Sequence, residues 1–281
     1  MFYLMNRILR AKQKLKPLLP RWLMSALRSN GEGTRRGTSH YEYDPEDTVI
    51  ADFAEFASQP IPEIVAGIRQ FRRLVQRDWR ELGTLSFEEA SKKFYSQSQA
   101  YVFDLLSGNP NRRVVLEKLD RFSPAIVSGI RQHTGRRFLE FGGGLGLFCE
   151  IVAGFGKEVT YLDIPGRVSE FAAWRFQKYG LPVRTIIKEA GCLDGLENYD
   201  IIYTDAVLEH MPYWEQQRVV KALGDHVSAG GILVLLVDLS GPTAENPTHE
   251  VVDIDLLHST LEGTGLRCQE GRGKFWSLWQ R

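Results

Sequence analysis

The stretch FLEFGGGLGLF, residues 138 to 148, sets four glycines within five positions directly behind an apolar run. Side chains are excluded where a backbone turns sharply, takes a positive φ, or lies against another group. The preceding RRFLEF (136–141) reads as a buried strand, and the following GLFCEIVAGFG as a helix ended by glycine. A strand, a glycine-rich turn and a helix gather backbone N–H groups at one point, which favours the anionic or electron-rich groups of a ligand. A turn needed only for packing is the competing reading.

Downstream the same alternation continues. EVTYLD (158–163) reads as a second strand, followed by a helix over 168–179, then PVRTIIK and YDIIYTD (199–205) as strands three and four. A helix through WEQQRVVKALGDHV leads to GGILVLLVD (230–238), and DIDLLHSTLEGTG precedes a closing strand pair, LRCQE and KFWSLWQ. Strands alternating with helices predict an α/β fold: a doubly wound, mostly parallel seven-stranded sheet with an antiparallel terminal strand pair.

Upstream the texture is helical. Ile61, Ile64, Val65, Ile68, Phe71, Leu74, Val75, Trp79 and Leu82 keep a helical period, with Pro62 suited to the first turn. Ser86 and Glu89 form a capping box that opens one helix through ASKKFYSQSQAYVFDLL, and SGNPN (107–111) breaks it. The expected division is a basic tail over 1–40, a helical lid or substrate segment over 41–135, and a Rossmann-like domain over 136–281. The helical segment is too thin to bury its own apolar faces, so it should pack on the domain.

Composition excludes several classes. A chain of 281 residues with 43% hydrophobic and 25% charged residues is an ordinary globular protein, neither repeat array nor disordered polymer. Three widely spaced cysteines give no disulfide framework, and the six histidines show no metal-ligand spacing, so a metal-free protein in a reducing, cytoplasmic setting is expected. The net charge of zero conceals an asymmetry, because residues 1–36 carry nine Lys/Arg against the single acid Glu32. A basic tail on an acidic body suits peripheral contact with a membrane or an anionic partner, or simple solvation. The acidic body argues against a nucleic-acid substrate.

The glycine pattern is not the dinucleotide fingerprint, whose third glycine would fall where Leu147 stands. It runs Glu140-x-Gly142-x-Gly144-x-Gly146, and Asp163 ends the second strand 21 residues after Gly142. With YDIIYTDAVLEHMP (199–212), GGILVLLVD and ENPTH (245–249), residues 136–281 resemble the class I S-adenosylmethionine-dependent methyltransferases. The resemblance implies S-adenosylmethionine as cofactor and S-adenosylhomocysteine as product. It sets the loop backbone against the methionine and ribose portions, with Glu140 ordering the loop or meeting the amino group. It also gives Asp163 the ribose hydroxyls, with Ile164 beside it. A helix cap is the alternative role for Asp163. Glu189 and Asp194 compete for the adenine contact, and Asp205 and Ala206 would face the methionine end.

Methyl transfer to a hydroxyl calls for a base, and His suits that at neutral pH. His249, in the loop after the fifth strand, and His210, in the signature after the fourth, are the candidate catalytic residues; each also has a structural reading. His258, beside two leucines within a helix, reads as packing. Of the aromatics Phe94, Tyr95, Tyr101 and Phe103, Tyr101 is singled out for the substrate wall. The expected reaction is O-methylation of a small-molecule acceptor, lipid- or sugar-linked. An N- or C-methyltransferase and a non-catalytic cofactor-binding scaffold are the alternatives.

Overall fold

The computed structural model describes residues 47–244 and 246–281. The basic stretch 1–40 lies outside the described residues, as does Glu245. Among the described residues six helices come first: α1 (Thr48–Ala57), α2 (Ile61–Glu81), α3 (Phe87–Gln97), α4 (Gln99–Gly108), α5 (Arg112–Phe122) and α6 (Pro124–Gln132). Pro62 sits in the first turn of α2. The capping box forms as expected: the Ser86 hydroxyl accepts the Glu89 N–H at 3.3 Å, and Glu89 accepts the Ser86 N–H at 3.1 Å.

The single helix expected beyond Ser86 is two. Ser98 adopts an extended backbone (φ −76°, ψ 124°), and its Oγ accepts the Ala100 N–H at 3.1 Å, capping α4. The same Oγ donates to Asp78 Oδ2 of α2 at 2.7 Å. The break therefore rests on a bond to another helix, in a stretch without glycine or proline to announce it.

The alternating half follows: β1 (Arg137–Phe141), α7 (Leu147–Gly154), β2 (Glu158–Asp163), α8 (Arg167–Lys178), β3 (Val183–Ile187) and β4 (Tyr199–Asp205). A 3₁₀ turn at Leu208–His210 leads to α9 (Tyr213–Asp225), β5 (Val227–Leu236), α10 (Ile254–Gly263), β6 (Arg267–Glu270) and β7 (Trp276–Gln280). The seven strands lie in the order β3-β2-β1-β4-β5-β7-β6. β7 slots between β5 and β6 and runs antiparallel to both.

Both faces of the sheet are apolar, which is why its strands read as continuous hydrophobic runs. Phe138, Tyr161, Ile201 and Val234 point to one face, and Leu139, Leu162, Ile202 and Leu233 to the other. The second face is covered by α9 and α10 through Val219, Leu223, Leu257 and Leu261. The first is covered by α7 and α8 together with the helical segment, whose Ile50, Phe53, Ile64, Ile68 and Phe94 join that same core. His258 packs as expected, its Nε2 lying 3.1 Å from Ser277 Oγ of β7.

A buried charge cluster fastens the helical segment to the sheet layer. Arg175 of α8 donates from Nε to Asp52 Oδ2 of α1 at 3.0 Å, and its Nη1 pairs with Glu150 of α7 at 2.6 Å, outside hydrogen-bond geometry. Lys178 and the Tyr179 hydroxyl also bond Asp52, at 2.8 and 2.7 Å. Arg175 and Glu150 are 2% and 5% exposed, so removing the guanidinium strands the buried Glu150 carboxylate, while Asp52 keeps Lys178 and Tyr179. Arg175→Ala should lower the unfolding free energy in urea by ~3 kcal/mol or more; an unchanged midpoint would show that the cluster adds nothing to docking.

Candidate active site

At the end of β1 the chain bends toward β2, where the Gly142 and Gly143 amides donate to the Leu162 carbonyl at 2.8 and 3.3 Å. Gly142, Gly144 and Gly146 all take left-handed φ, at 72°, 51° and 72°. Their surroundings differ. A Cβ on Gly142 would lie 2.2 Å from Val207, and one on Gly146 would lie 2.5 Å from the Phe176 ring. At Gly144 the nearest atom would be Leu105 Cδ1, an ordinary 3.7 Å away. Packing thus accounts for two of these glycines, while the third keeps backbone bare on the wall of a cavity.

Gly144 is fixed by its neighbours on β2. Its amide donates to Asp163 Oδ2 at 2.7 Å, and its carbonyl accepts the Tyr161 hydroxyl at 2.8 Å. Asp163 Oδ1 accepts the Ile164 amide at 2.7 Å and keeps a lone pair for another donor, while Oδ2 is also faced by the Tyr161 hydroxyl at 3.1 Å. Burial pushes the Asp163 pKa up to about 6, against the lowering effect of the two amide bonds. Helix α8 is capped at Gly166, which removes the reading of Asp163 as a helix cap.

Two further carboxylates converge here. Glu140 of β1 is buried, and its Oε2 has no hydrogen-bond partner among the described residues. Burial lifts its pKa to about 8, the Cys149 thiol opposing this by donation while Asp205 and Asp163 reinforce it. Asp205 ends β4, accepting from Lys118 Nζ at 2.9 Å and from the Tyr203 hydroxyl at 3.3 Å. The next residue, Ala206, holds a left-handed φ of 55°, a strained conformation for a residue with a Cβ. The cavity they enclose, of about 190 Å³, lies at the carboxyl ends of β1, β2 and β4. There the strand order reverses, the place where open α/β sheets bind ligands.

The family model for a methyltransferase domain matches residues 109–278. The chain belongs to the class I S-adenosylmethionine-dependent methyltransferases. The chain is 30% identical over 175 residues to a ubiquinone biosynthesis O-methyltransferase of Methylocella silvestris, covering 61% of each chain. It is 27% identical over 126 residues to the enzyme of that name from Stutzerimonas stutzeri, covering 43% of this chain and 53% of that one. The chain thus spans between half and two thirds of the length of these relatives. Magnesium protoporphyrin IX methyltransferase of Synechocystis, solved with S-adenosylmethionine bound, shares the fold with a TM-score of 0.51 at 16% identity, over 70% of this chain and 96% of that one.

The cavity fits S-adenosylmethionine, the cofactor of this family. The unpartnered Glu140 oxygen suits an ammonium, the Asp163 carboxylate with its spare Oδ1 lone pair suits a hydroxyl donor, and the bare Gly144 backbone admits close approach. Ile164 and Glu189 also line the cavity. Asp194 does not; its backbone carbonyl instead accepts from Lys188 Nζ.

On the opposite wall the helical segment contributes Tyr101, singled out from the sequence, and also Tyr95 and Lys118, which were not. The Tyr95 and Tyr101 rings meet edge to face at 4.7 Å, whereas Phe94 and Phe103 go into the core. His210 lines the cavity, its Nδ1 2.5 Å from the Tyr95 hydroxyl, and burial drives its pKa down to about 3. His249 stands behind it, outside the cavity lining, its ring edge-on to His210 at 4.8 Å. Lys118 carried no sequence signal, since it is one cation among the Arg and Lys residues of an amphipathic helix.

Glu140 generates a test. In the folded free protein it stays neutral up to about pH 8, whereas in the unfolded chain it ionises near its ordinary 4.5. Folded stability therefore drops as pH climbs between those values. Glu140→Gln removes this penalty, so its thermal midpoint should match wild type at acid pH and exceed it increasingly toward pH 8. A difference independent of pH would show that Glu140 is ionised in the free protein.

Proposed function

We propose that this protein methylates a hydroxyl oxygen of a small, largely apolar aromatic acceptor. The observation that carries the reading is the juxtaposition of the carboxylate-ringed glycine loop with a neutral histidine and two tyrosines across one cavity. The names of the O-methyltransferase relatives support the hydroxyl, and a lipid-borne phenol is the acceptor class they suggest. Residues 1–36, with their excess of Lys/Arg, would keep such an enzyme near anionic lipid.

S-adenosylmethionine, when bound, supplies a methyl group on a sulfonium, already activated for displacement. The chain's task is then alignment and charge. Glu140 and Asp163 hold the donor, and Gly144 lets it lie on the backbone. Tyr95 and Tyr101 stack on the acceptor ring. If His210 Nδ1–H donates to the Tyr95 oxygen while Tyr95 O–H donates to the Thr248 carbonyl at 3.4 Å, Nε2 is left as an acceptor. That nitrogen receives the hydroxyl's hydrogen bond and then its proton. A weak base suffices, because the oxygen becomes strongly acidic as its new bond to carbon forms. His249 orients His210 from behind, braced by Ser240 Oγ at 3.4 Å.

Calorimetry with S-adenosylhomocysteine tests the donor site: Asp163→Ala should weaken binding by about tenfold or more, the scale of a lost charge-assisted hydrogen bond. Transfer of labelled methyl to substituted catechols tests the acceptor side. His210→Ala should cut turnover by about 100-fold while leaving S-adenosylhomocysteine affinity intact. Full turnover in that variant would remove His210 from the proton path.

A further inference from the structure

Glu209 has no place in the chemistry above. It is 0% exposed, in the 3₁₀ turn directly before His210, and its Oε2 has no hydrogen-bond partner among the described residues. Burial lifts its pKa to about 8, against the lowering effect of its own amide and that of Asp238, while Asp205 and Asp238 reinforce the rise. The carboxyl is thus neutral at pH 7. A buried acid in a turn is often only a fastener. What distinguishes this one is what it fastens.

The connection from β5 to α10, residues 237–253, is far longer than the usual ~4–6 residues. Glu209 holds it near both ends. Its Oε1 accepts the Asp238 N–H at 3.0 Å, and its backbone carbonyl accepts the Glu250 N–H at 2.6 Å. Each anchor leads back to the neighbouring His210. At the first, Asp238 Oδ1 accepts the Ser240 N–H at 2.7 Å, Ser240 Oγ lies 3.4 Å from His249 Nδ1, and the His249 ring stands edge-on to His210. At the second, the chain steps back two residues from Glu250 to Thr248, whose carbonyl lies 3.4 Å from the Tyr95 hydroxyl and 3.5 Å from His210 Nδ1. Gln216 pins the same end independently, donating to the Met211 and Val251 carbonyls at 3.2 and 3.1 Å.

The Thr248 carbonyl can only accept. Where it takes the Tyr95 O–H, the Tyr95 oxygen turns a lone pair to His210 Nδ1, which must then carry the ring proton. Where it is displaced, the Tyr95 O–H donates to Nδ1 instead, and the ring proton sits on Nε2. The tautomer of a neutral histidine is set by such partners. We infer that Glu209 is a positioning residue: through the 238–251 loop it keeps His210 in the tautomer with its proton on Nδ1 and Nε2 free to accept. Its meaning for methyl transfer rests on the base role given to His210 above.

The test is heteronuclear NMR of the full chain at neutral pH with isotope-labelled histidine rings, the His210 signals being assigned by their loss in His210→Ala. Wild type should show a protonated Nδ1 and a bare Nε2. Glu209→Leu removes the bond to Asp238 and should move the His210 proton toward Nε2. Glu209→Gln keeps a carbonyl oxygen for that amide and should restore the wild-type pattern. Asp238→Ala cuts the same path one bond further on, at a half-buried loop position outside the core, and should shift the pattern in the same direction. Turnover of substituted catechols should fall by about tenfold or more in Glu209→Leu, in kcat rather than KM, with S-adenosylhomocysteine affinity unchanged. Combination with His210→Ala should bring no further loss. A proton on Nε2 in wild type, unmoved His210 signals in both Glu209→Leu and Asp238→Ala, or a Glu209→Gln protein as disturbed as Glu209→Leu would overturn the inference. If the signals move as expected while His210→Ala turns over normally, the positioning stands and the base role falls.

Discussion

The guanidinium of Arg175, held between Asp52 and Glu150, is the joint on which the cavity depends. One carboxylate belongs to α1, the first helix among the described residues, and the other to the helix that follows the glycine loop. The cavity wall draws on both sides of that joint: the glycine loop and strand-end carboxylates from the sheet, Tyr95, Tyr101 and Lys118 from the helices. Apolar burial supplies most of the adhesion between these layers, but it is indifferent to sliding. A buried cation with two fixed counter-charges is not, because displacement leaves desolvated charge unpaired. The cluster thus sets the register of one layer on the other.

The site carries an electrostatic burden in the free protein. Glu140, Asp163 and Asp205 meet at three strand ends, and Lys118 offsets only the last of them directly. Burial, with repulsion from Asp205 and Asp163, keeps protons on Glu140, and burial alone raises the pKa of Asp163. A ligand bearing positive charge relieves that burden and a neutral one does not, so the free protein is preorganised for cations by the same terms that make it costly to fold.

Much of this was legible in the sequence. The strands at 158–163 and 199–205 fall where hydrophobic runs end in aspartate, and the spacing from Gly142 to Asp163 places the acid beside the loop. Periodicity succeeds here because a strand buried on both faces leaves an uninterrupted apolar signature. The role of each glycine was not legible, since all three share positive φ and only three-dimensional packing separates Gly144 from the rest. The exchange of positions between His210 and His249 was hidden for a related reason. Both lie beyond strand ends, and the return of the 238–251 loop decides which one reaches the cavity. Lys118 lay deepest, because its partner Asp205 is 87 residues away.

The break at Ser98 has a consequence for how such a cavity can vary. On an unbroken helix, Tyr95 and Tyr101, six residues apart, would point about 120° away from one another and could not share a wall. The single non-helical residue between them resets the phase and lets the rings touch. Side-chain exchange can alter the chemistry of this wall but not its angle. The geometry offered to an acceptor is written in the length of the junction between α3 and α4, so relatives with differently shaped acceptors are expected to differ there by insertion or deletion.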